Sequence, residues 1–228
     1  MTTPSPIVFV IDDDPSVRKA LSRLLKSVGF PVEAFATSEE FLAQSLPDVP
    51  ACVILDVRMP GLSGLDLQRT LAERNVSLPI VFLTGHGDIP MTVRAMKAGA
   101  VDFLPKPFND QDLLAAVRQA VARHAQTRQA EAELAAIRQR AALLSPRERE
   151  VMALIVRGML NKQAGHQLGV TEKTIKVHRA QVMRKMRVNS LAELVRLAQR
   201  ISVSSSQPPR PLHSSPGTAS VVDRPRIG

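Results

Sequence analysis

Apolar runs and amphipathic stretches alternate along the first half of the chain. Ile7–Ile11 is a five-residue apolar run, and an amphipathic stretch over residues 15–28 follows it and stops at Gly29. Further apolar runs at 32–36, 52–56, 80–84 and 101–104 each precede a stretch with helical spacing. Those stretches cover 37–44, 63–74, 89–98 and the residues from 109 or 110 onward. Thr37-Ser38-Glu39-Glu40 has the pattern of a capping box, and Gly99 is a helix stop. Short apolar runs bounded by turn signals predict buried strands. Strands alternating with helices across short loops predict a five-stranded, doubly wound parallel α/β sheet covered on both faces.

From 110 to 140 the chain has neither Gly nor Pro and is rich in Ala, Gln, Arg and Glu, which favours a helix leaving the first domain. Val117, Val121, His124, Leu134 and Ile137 form an imperfect stripe. A dimeric coiled coil and a partly helical tether both fit it. A second, all-α domain begins near 143. Ser145-Pro146-Arg147-Glu148 is a helix start, Val151, Leu154 and Ile155 give that helix an apolar face, and Gly158 ends it. A short helix over 162–168 closes at Gly169. A third over 172–186 starts on Thr171, and a fourth runs from Ser190 to about 200. Two short helices across a Gly-containing turn predict a helix-turn-helix. On the third helix Ile175, Val182, Met183 and Met186 fall inward. Lys173, Lys176, Val177, Ala180 and Arg184 form an outer stripe, with His178 and Lys185 beside it and Thr174 near its start. Such a helix fits the major groove of double-stranded DNA. Residues 202–228 are Ser-, Pro- and Arg-rich without periodicity and read as a disordered tail. The predicted organisation is a domain over 1–124, a helical linker over 125–142, a helix-turn-helix domain over 143–201 and the tail.

Charge sharpens this division. The net charge is +9, but residues 1–125 carry −2 and residues 143–201 carry +8. A polyanion therefore meets the second half. With no Trp and no Tyr the cores must be aliphatic with a few Phe, and stacking on single-stranded nucleic acid is disfavoured. One cysteine, Cys52, excludes a disulfide framework and a thiolate metal site. No apolar run approaches the ~20 residues needed to span a membrane, and no leader pattern is present, so a cytoplasmic location is expected.

The polar residues at the predicted strand ends form one group. Strand one ends in Asp12-Asp13-Asp14, strand three in Asp56 and strand four in Thr84, and Lys106 follows strand five. In an open parallel sheet all of these lie on the carboxyl lip. Clustered carboxylates invite a hard divalent cation, and Mg²⁺ suits a site with few protein ligands. A carboxylate beside Mg²⁺ and a lysine can accept a phosphoryl group. Taken singly, these residues are unremarkable: Asp12 to Asp14 as N-cap chemistry, Asp56 as a turn former, Thr84 as a strand-end hydroxyl, Lys106 as a surface charge and Phe103 as a core ring. His86 reads as an ordinary loop residue. A haloacid-dehalogenase-type phosphatase would use Asp12 as nucleophile. That reading leaves Asp56 idle and lacks a further acidic motif after Lys106.

The set resembles the receiver domain of two-component response regulators across the whole first half. The resemblance implies that Asp56 is the phosphoacceptor. It makes Asp12 and Asp13 the acidic pair, with Asp13 the more direct Mg²⁺ ligand and Asp12 acting partly through water, and it has the Arg58 backbone carbonyl supply a further ligand. Thr84 would hydrogen-bond the phosphoryl group and Lys106 pair with it. Phe103 would be the aromatic switch, and Lys106-Pro107 the cis peptide. In the second half, LSPREREVMALIVRGMLNKQ and VTEKTIKVHRAQVMRKM resemble the LuxR/NarL-type output domain. Together the halves resemble a FixJ-type transcriptional regulator, not an enzyme. Lys176 and Val177 would then reach bases, Lys162, Lys173, Thr174 and His178 would hold phosphates, and Arg184 would share that face. Leu191, Leu194 and Val195 would pair output domains. The implied partners are a sensor histidine kinase, promoter DNA, a second copy of the chain when phosphorylated, and RNA polymerase. One departure is Ala164-Gly165, where the family carries a larger aliphatic and then Ala. It predicts a looser helix, weaker by about 1 kcal/mol.

Overall fold

The computed structural model describes residues 5–85 and 89–205. The expectations for His86 and for the tail beyond 205 lie outside the described residues. The chain divides into two compact units, residues 1–133 and 134–228.

In the first unit β1 (Ile7–Ile11), β2 (Val32–Phe35), β3 (Ala51–Asp56), β4 (Ile80–Thr84) and β5 (Asp102–Pro105) form one sheet in the order β2-β1-β3-β4-β5. Every pairing is parallel. The strands are apolar throughout because both faces are covered. Phe9, Ile11, Val53, Leu55 and Phe82 pack on one side with Phe41, Leu67, Leu71 and Ala95. Those four come from α2 (Ser38–Leu42), α3 (Gly64–Glu73) and α4 (Ile89–Lys97). Val8, Val10, Cys52, Ile54, Val81 and Leu83 pack on the other side against α1 (Pro15–Ser27) and the start of α5 (Asp110–Ala142). Each fully buried Leu, Ile or Phe here contributes roughly 1.5–3 kcal/mol. The order reverses direction between β1 and β3. This is the switch point at which an open α/β sheet forms its crevice.

Local details differ from expectation at several points. Thr37 caps α2 through Glu40 N–H at 3.2 Å, but Glu40 Oε2 accepts from Ala36 N–H at 2.8 Å, one residue beyond the reciprocal capping box. The stretch expected as linker is not a separate piece. α5 is one helix of 33 residues, which corrects the partly helical tether. Its early turns belong to the first unit, where His124 Nδ1 accepts from Ala51 N–H at 2.8 Å and Arg128 pairs with Asp48. Its last turns belong to the second unit, where Ile137 and Ala141 join the core.

That second core is built by α6 (Pro146–Val156), α7 (Asn161–Leu168), α8 (Glu172–Met186) and α9 (Leu191–Ser205). Ser145 and Glu148 make a complete capping box at the start of α6. Gly169, at φ +65°, ends α7 in the left-handed conformation. α9 continues to Ser205, so residues 202–205 are helix rather than tail. Gly165 has a packing reason that the spacing does not show. A Cβ there would lie 2.8 Å from the Val170 carbonyl oxygen, so the missing side chain lets α7 close onto the turn into α8.

Candidate functional site

Asp56 is the last residue of β3, beside Leu83 of β4, and Val57 N–H donates to Leu83 O at 3.1 Å. Asp12 immediately follows the neighbouring strand β1. Lys106 lies just past β5, where its N–H donates to Thr84 O at 2.6 Å and its peptide bond to Pro107 is cis, as the resemblance implied. The sheet therefore delivers these residues to one lip across the switch point.

The Lys106 ammonium bridges the two buried carboxylates. Nζ donates to Asp12 Oδ2 at 2.7 Å and to Asp56 Oδ1 at 2.8 Å. The remaining oxygens are engaged by backbone: Asp14 N–H donates to Asp12 Oδ1 at 2.9 Å and Arg58 N–H to Asp56 Oδ2 at 3.0 Å. Burial pushes the Asp56 carboxyl above its ordinary value. Lys106 and the Arg58 N–H oppose this, while the Asp12 charge adds to it. Burial alone would pull Lys106 down, but the hydrogen bonds and charges of Asp12 and Asp56 leave it raised. Both shift upward, for opposite reasons: burial outweighs the ion pair at Asp56, and the two carboxylates outweigh burial at Lys106.

Thr84 is buried at the end of β4, and Phe103 is half-buried with its ring 5.9 Å from that of Phe82. Asp13 is exposed at the lip. Both oxygens of Asp12, like both of Asp56, already accept hydrogen bonds. Among the described residues no three acidic, His or Cys side chains are grouped as a ready metal cage. The oxygen-only donor set of Asp13, Asp56 and the Arg58 carbonyl fits Mg²⁺, which binds through one or two carboxylates and retains its waters.

Sequence reasoning missed several supports. Arg18 of α1 donates to Asp12 O at 2.7 Å. A Cβ at Gly64 would come 2.3 Å from Asp56 O, so only glycine lets α3 begin directly against the end of β3. Gly64 beside the Ser63 cap was a visible signal. Arg18 had none beyond lying on the first helix.

In the second unit α8 separates its faces as expected. Ile175, Val182 and Met186 are buried, while Lys173, Lys176, Val177 and Arg184 are exposed, and Lys162 is exposed on α7. Thr174 and His178 are half-buried. Lys176 pairs with Glu172 at 3.0 Å, one turn earlier. Lys185 leaves the stripe: its Nζ donates to Glu148 Oε2 at 2.6 Å and to Leu143 O at 3.2 Å. The expected pairing residues on α9 divide. Leu194 is wholly buried in the unit's own core, with Leu191 packed against it, so Leu194 is corrected to a core residue. Val195 is half-buried. No helix among the described residues is long and apolar enough to cross a membrane.

Comparison with known proteins agrees with both halves. Residues 8–118 match the family described as the response regulator receiver domain, and residues 142–198 match the luxR family of bacterial regulatory proteins. The chain is 52% identical over 200 residues to Nodulation protein W of Bradyrhizobium diazoefficiens, covering 88% of each chain. It is 46% identical over 201 residues to the transcriptional regulatory protein FixJ of the same species, covering 88% of this chain and 97% of the other. The solved structure of the response regulator StyR superposes with a TM-score of 0.80 at 49% identity, over 86% of this chain and 99% of that one. The chain belongs to the family of two-component response regulators that join a receiver domain to a LuxR-type helix-turn-helix DNA-binding domain.

Proposed function

We propose that a sensor histidine kinase phosphorylates Asp56, and that the phosphorylated chain dimerises and binds promoter DNA to regulate transcription. The observation that carries this reading is the Lys106 ammonium held between Asp12 and Asp56 at the lip of the sheet. A carboxylate oxygen of Asp56 attacks the phosphorus carried by the kinase histidine, the P–N bond breaks, and the imidazole leaves with the electron pair. Asp13, Asp56 and the Arg58 carbonyl would hold Mg²⁺, with Asp12 contributing partly through water. When bound, Mg²⁺ neutralises charge on the transferred oxygens. Lys106 pairs with the new phosphoryl group and Thr84 hydrogen-bonds it. Phe103 then moves inward and changes the surface on which receivers pair.

The output side follows from the exposed stripe of α8. Lys176 and Val177 reach base edges in the major groove, and Lys162, Lys173, Thr174, His178 and Arg184 hold phosphates. Val195 and the exposed rim of α9 pair the output domains, and the bound dimer contacts RNA polymerase.

The test uses the full chain with Mg²⁺ and acetyl phosphate or beryllofluoride. The parent should shift toward dimer in sedimentation and bind its promoter more tightly. Asp56→Asn should do neither. An Asp56→Asn chain that responds like the parent sinks the reading. DNA binding equal with and without the phosphoryl donor favours a phosphorylation-independent regulator whose receiver is only a dimer scaffold.

A further inference from the structure

The loop between β3 and α3 carries Arg58, and its geometry is fixed at both ends. Val57 N–H donates to Leu83 O at 3.1 Å, and Gly64 N–H donates back to Val57 O at 3.1 Å. Near its end it is gripped by two consecutive side chains of α2. Ser38 Oγ donates to Leu62 O at 3.0 Å, and Glu39 Oε1 accepts from Leu62 N–H at 3.1 Å. One residue is thus held at both of its backbone polar groups. Gly61 lies flat against the same carboxylate: at φ +77°, a Cβ there would come 3.1 Å from Glu39 Oε1.

The grip has a firm base although α2 has only five residues. Ser38 is completely buried. Phe41, one turn on, is locked among Phe9 and Phe35 with ring centroids 5.3 and 5.5 Å away. Thr37 and Glu40 tie the start of the helix to its own backbone and to Ala36. Arg58 is consequently set from two sides. Its N–H is fixed by Asp56 Oδ2, and the chain beyond it is fixed at Leu62.

We propose that Ser38 and Glu39 are positioning residues for the Mg²⁺ site, acting through Leu62 to orient the Arg58 carbonyl. The inference rests on the metal reading given above. Mg²⁺ demands near-ideal octahedral geometry, so a ligand carbonyl on a loop contributes only where the loop is held. Neither residue belongs to the ligand set named above. Each acts on the loop backbone, and Glu39 does so as a hydrogen-bond acceptor rather than as a charge.

The test is a titration of the full-length, isotopically labelled chain with Mg²⁺ alone, followed by NMR. Exchange of the Leu62 amide and the thermal midpoint are read alongside. Glu39→Ala should weaken Mg²⁺ about tenfold, while Glu39→Gln, whose amide oxygen still accepts, should stay within about twofold of the parent. Ser38→Ala should weaken Mg²⁺ and speed Leu62 exchange in the same direction as Glu39→Ala. Asp13→Asn is the control. Unchanged Mg²⁺ affinity in Asp13→Asn overturns the metal reading. Binding weakened in Asp13→Asn but unchanged in Glu39→Ala overturns the bracket alone. Equal weakening in Glu39→Ala and Glu39→Gln makes Glu39 an electrostatic contributor and also overturns it. A lower midpoint with unchanged affinity assigns the pair to stability only. If Glu39→Ala fails to fold, Ser38→Ala decides by the same criterion.

Discussion

The receiver lip and the outer face of α8 both gather charge, and they dispose of it in opposite ways. At the lip the Asp12 and Asp56 side chains are 2% and 9% exposed and share one ammonium. On α8 the Lys176 side chain is 64% exposed and meets Glu172, itself 46% exposed. Buried charge fixes geometry and moves proton affinities, as at Asp56 and Lys106, and so suits chemistry on a small group. Exposed charge keeps its hydration and its counterions until a polyanion displaces them. The surface pair on α8 is worth under ~1 kcal/mol, whereas breaking a buried pair leaves an uncompensated charge.

That contrast is breakable. Lys106→Met should destabilise the chain by about 3 kcal/mol in urea unfolding at pH 7, toward the lower end for a buried pair because the lysine is partly exposed. Adding Asp12→Asn to it should recover part of the loss, since fewer unpaired carboxylates remain. If Lys106→Met is neutral, the lip is no more buried in effect than α8. The backbone sharpens the same comparison, because among the described residues each unit has one glycine set against a carbonyl. Gly64→Ala meets Asp56 O at 2.3 Å and should lower stability by about 2–3 kcal/mol. Gly165→Ala meets Val170 O at the longer 2.8 Å and gains helix propensity, so a net loss of about 1 kcal/mol is expected in thermal unfolding. A stabilised Gly165→Ala would restore the looser-helix expectation. On the exposed side, Lys176→Ala should leave unfolding unchanged within about 0.5 kcal/mol. It should weaken promoter binding by about tenfold in fluorescence anisotropy at fixed salt.

The smallest effect is pH-dependent. Burial, with the charge of Arg128 beside it, holds His124 below its ordinary 6.5, and its neutral Nδ1 accepts from Ala51 N–H. Glu131 opposes that shift. The folded chain thus binds the proton less readily than the unfolded chain. The contribution of His124 is present above pH 6.5 and is lost as pH falls through its lower folded value. His124→Asn, whose side-chain oxygen can replace Nδ1, should flatten that part of the stability–pH curve. An unchanged slope would remove His124 from the account.

What could be read from the chain follows from how local each cause is. β3 announces itself because both sheet faces are covered, so its residues are apolar without interruption until Asp56. The caps at Ser63, Ser145 and Thr171 are likewise local, each bonding three residues ahead. Leu194 was misread because an apolar stripe looks the same whether it faces a second copy or its own core. Lys185 was placed on the solvated edge because nothing nearby in sequence indicates that Glu148, 37 residues away, takes its ammonium. The bond from Ala51 to His124 spans 73 residues, and Ser38 reaches Leu62 across 24. Such contacts depend on topology and carry no spacing signal.

The division of α5 bears on how the protein can be taken apart. A cut after residue 124 would strip Arg128 from Asp48, and a cut after 142 would remove Ile137 and Ala141 from the core they help to fill. Residues 129–133 are exposed throughout and contribute to neither core. A protease that nicks the helix there would release two fragments, each retaining the side chains that its own interior requires.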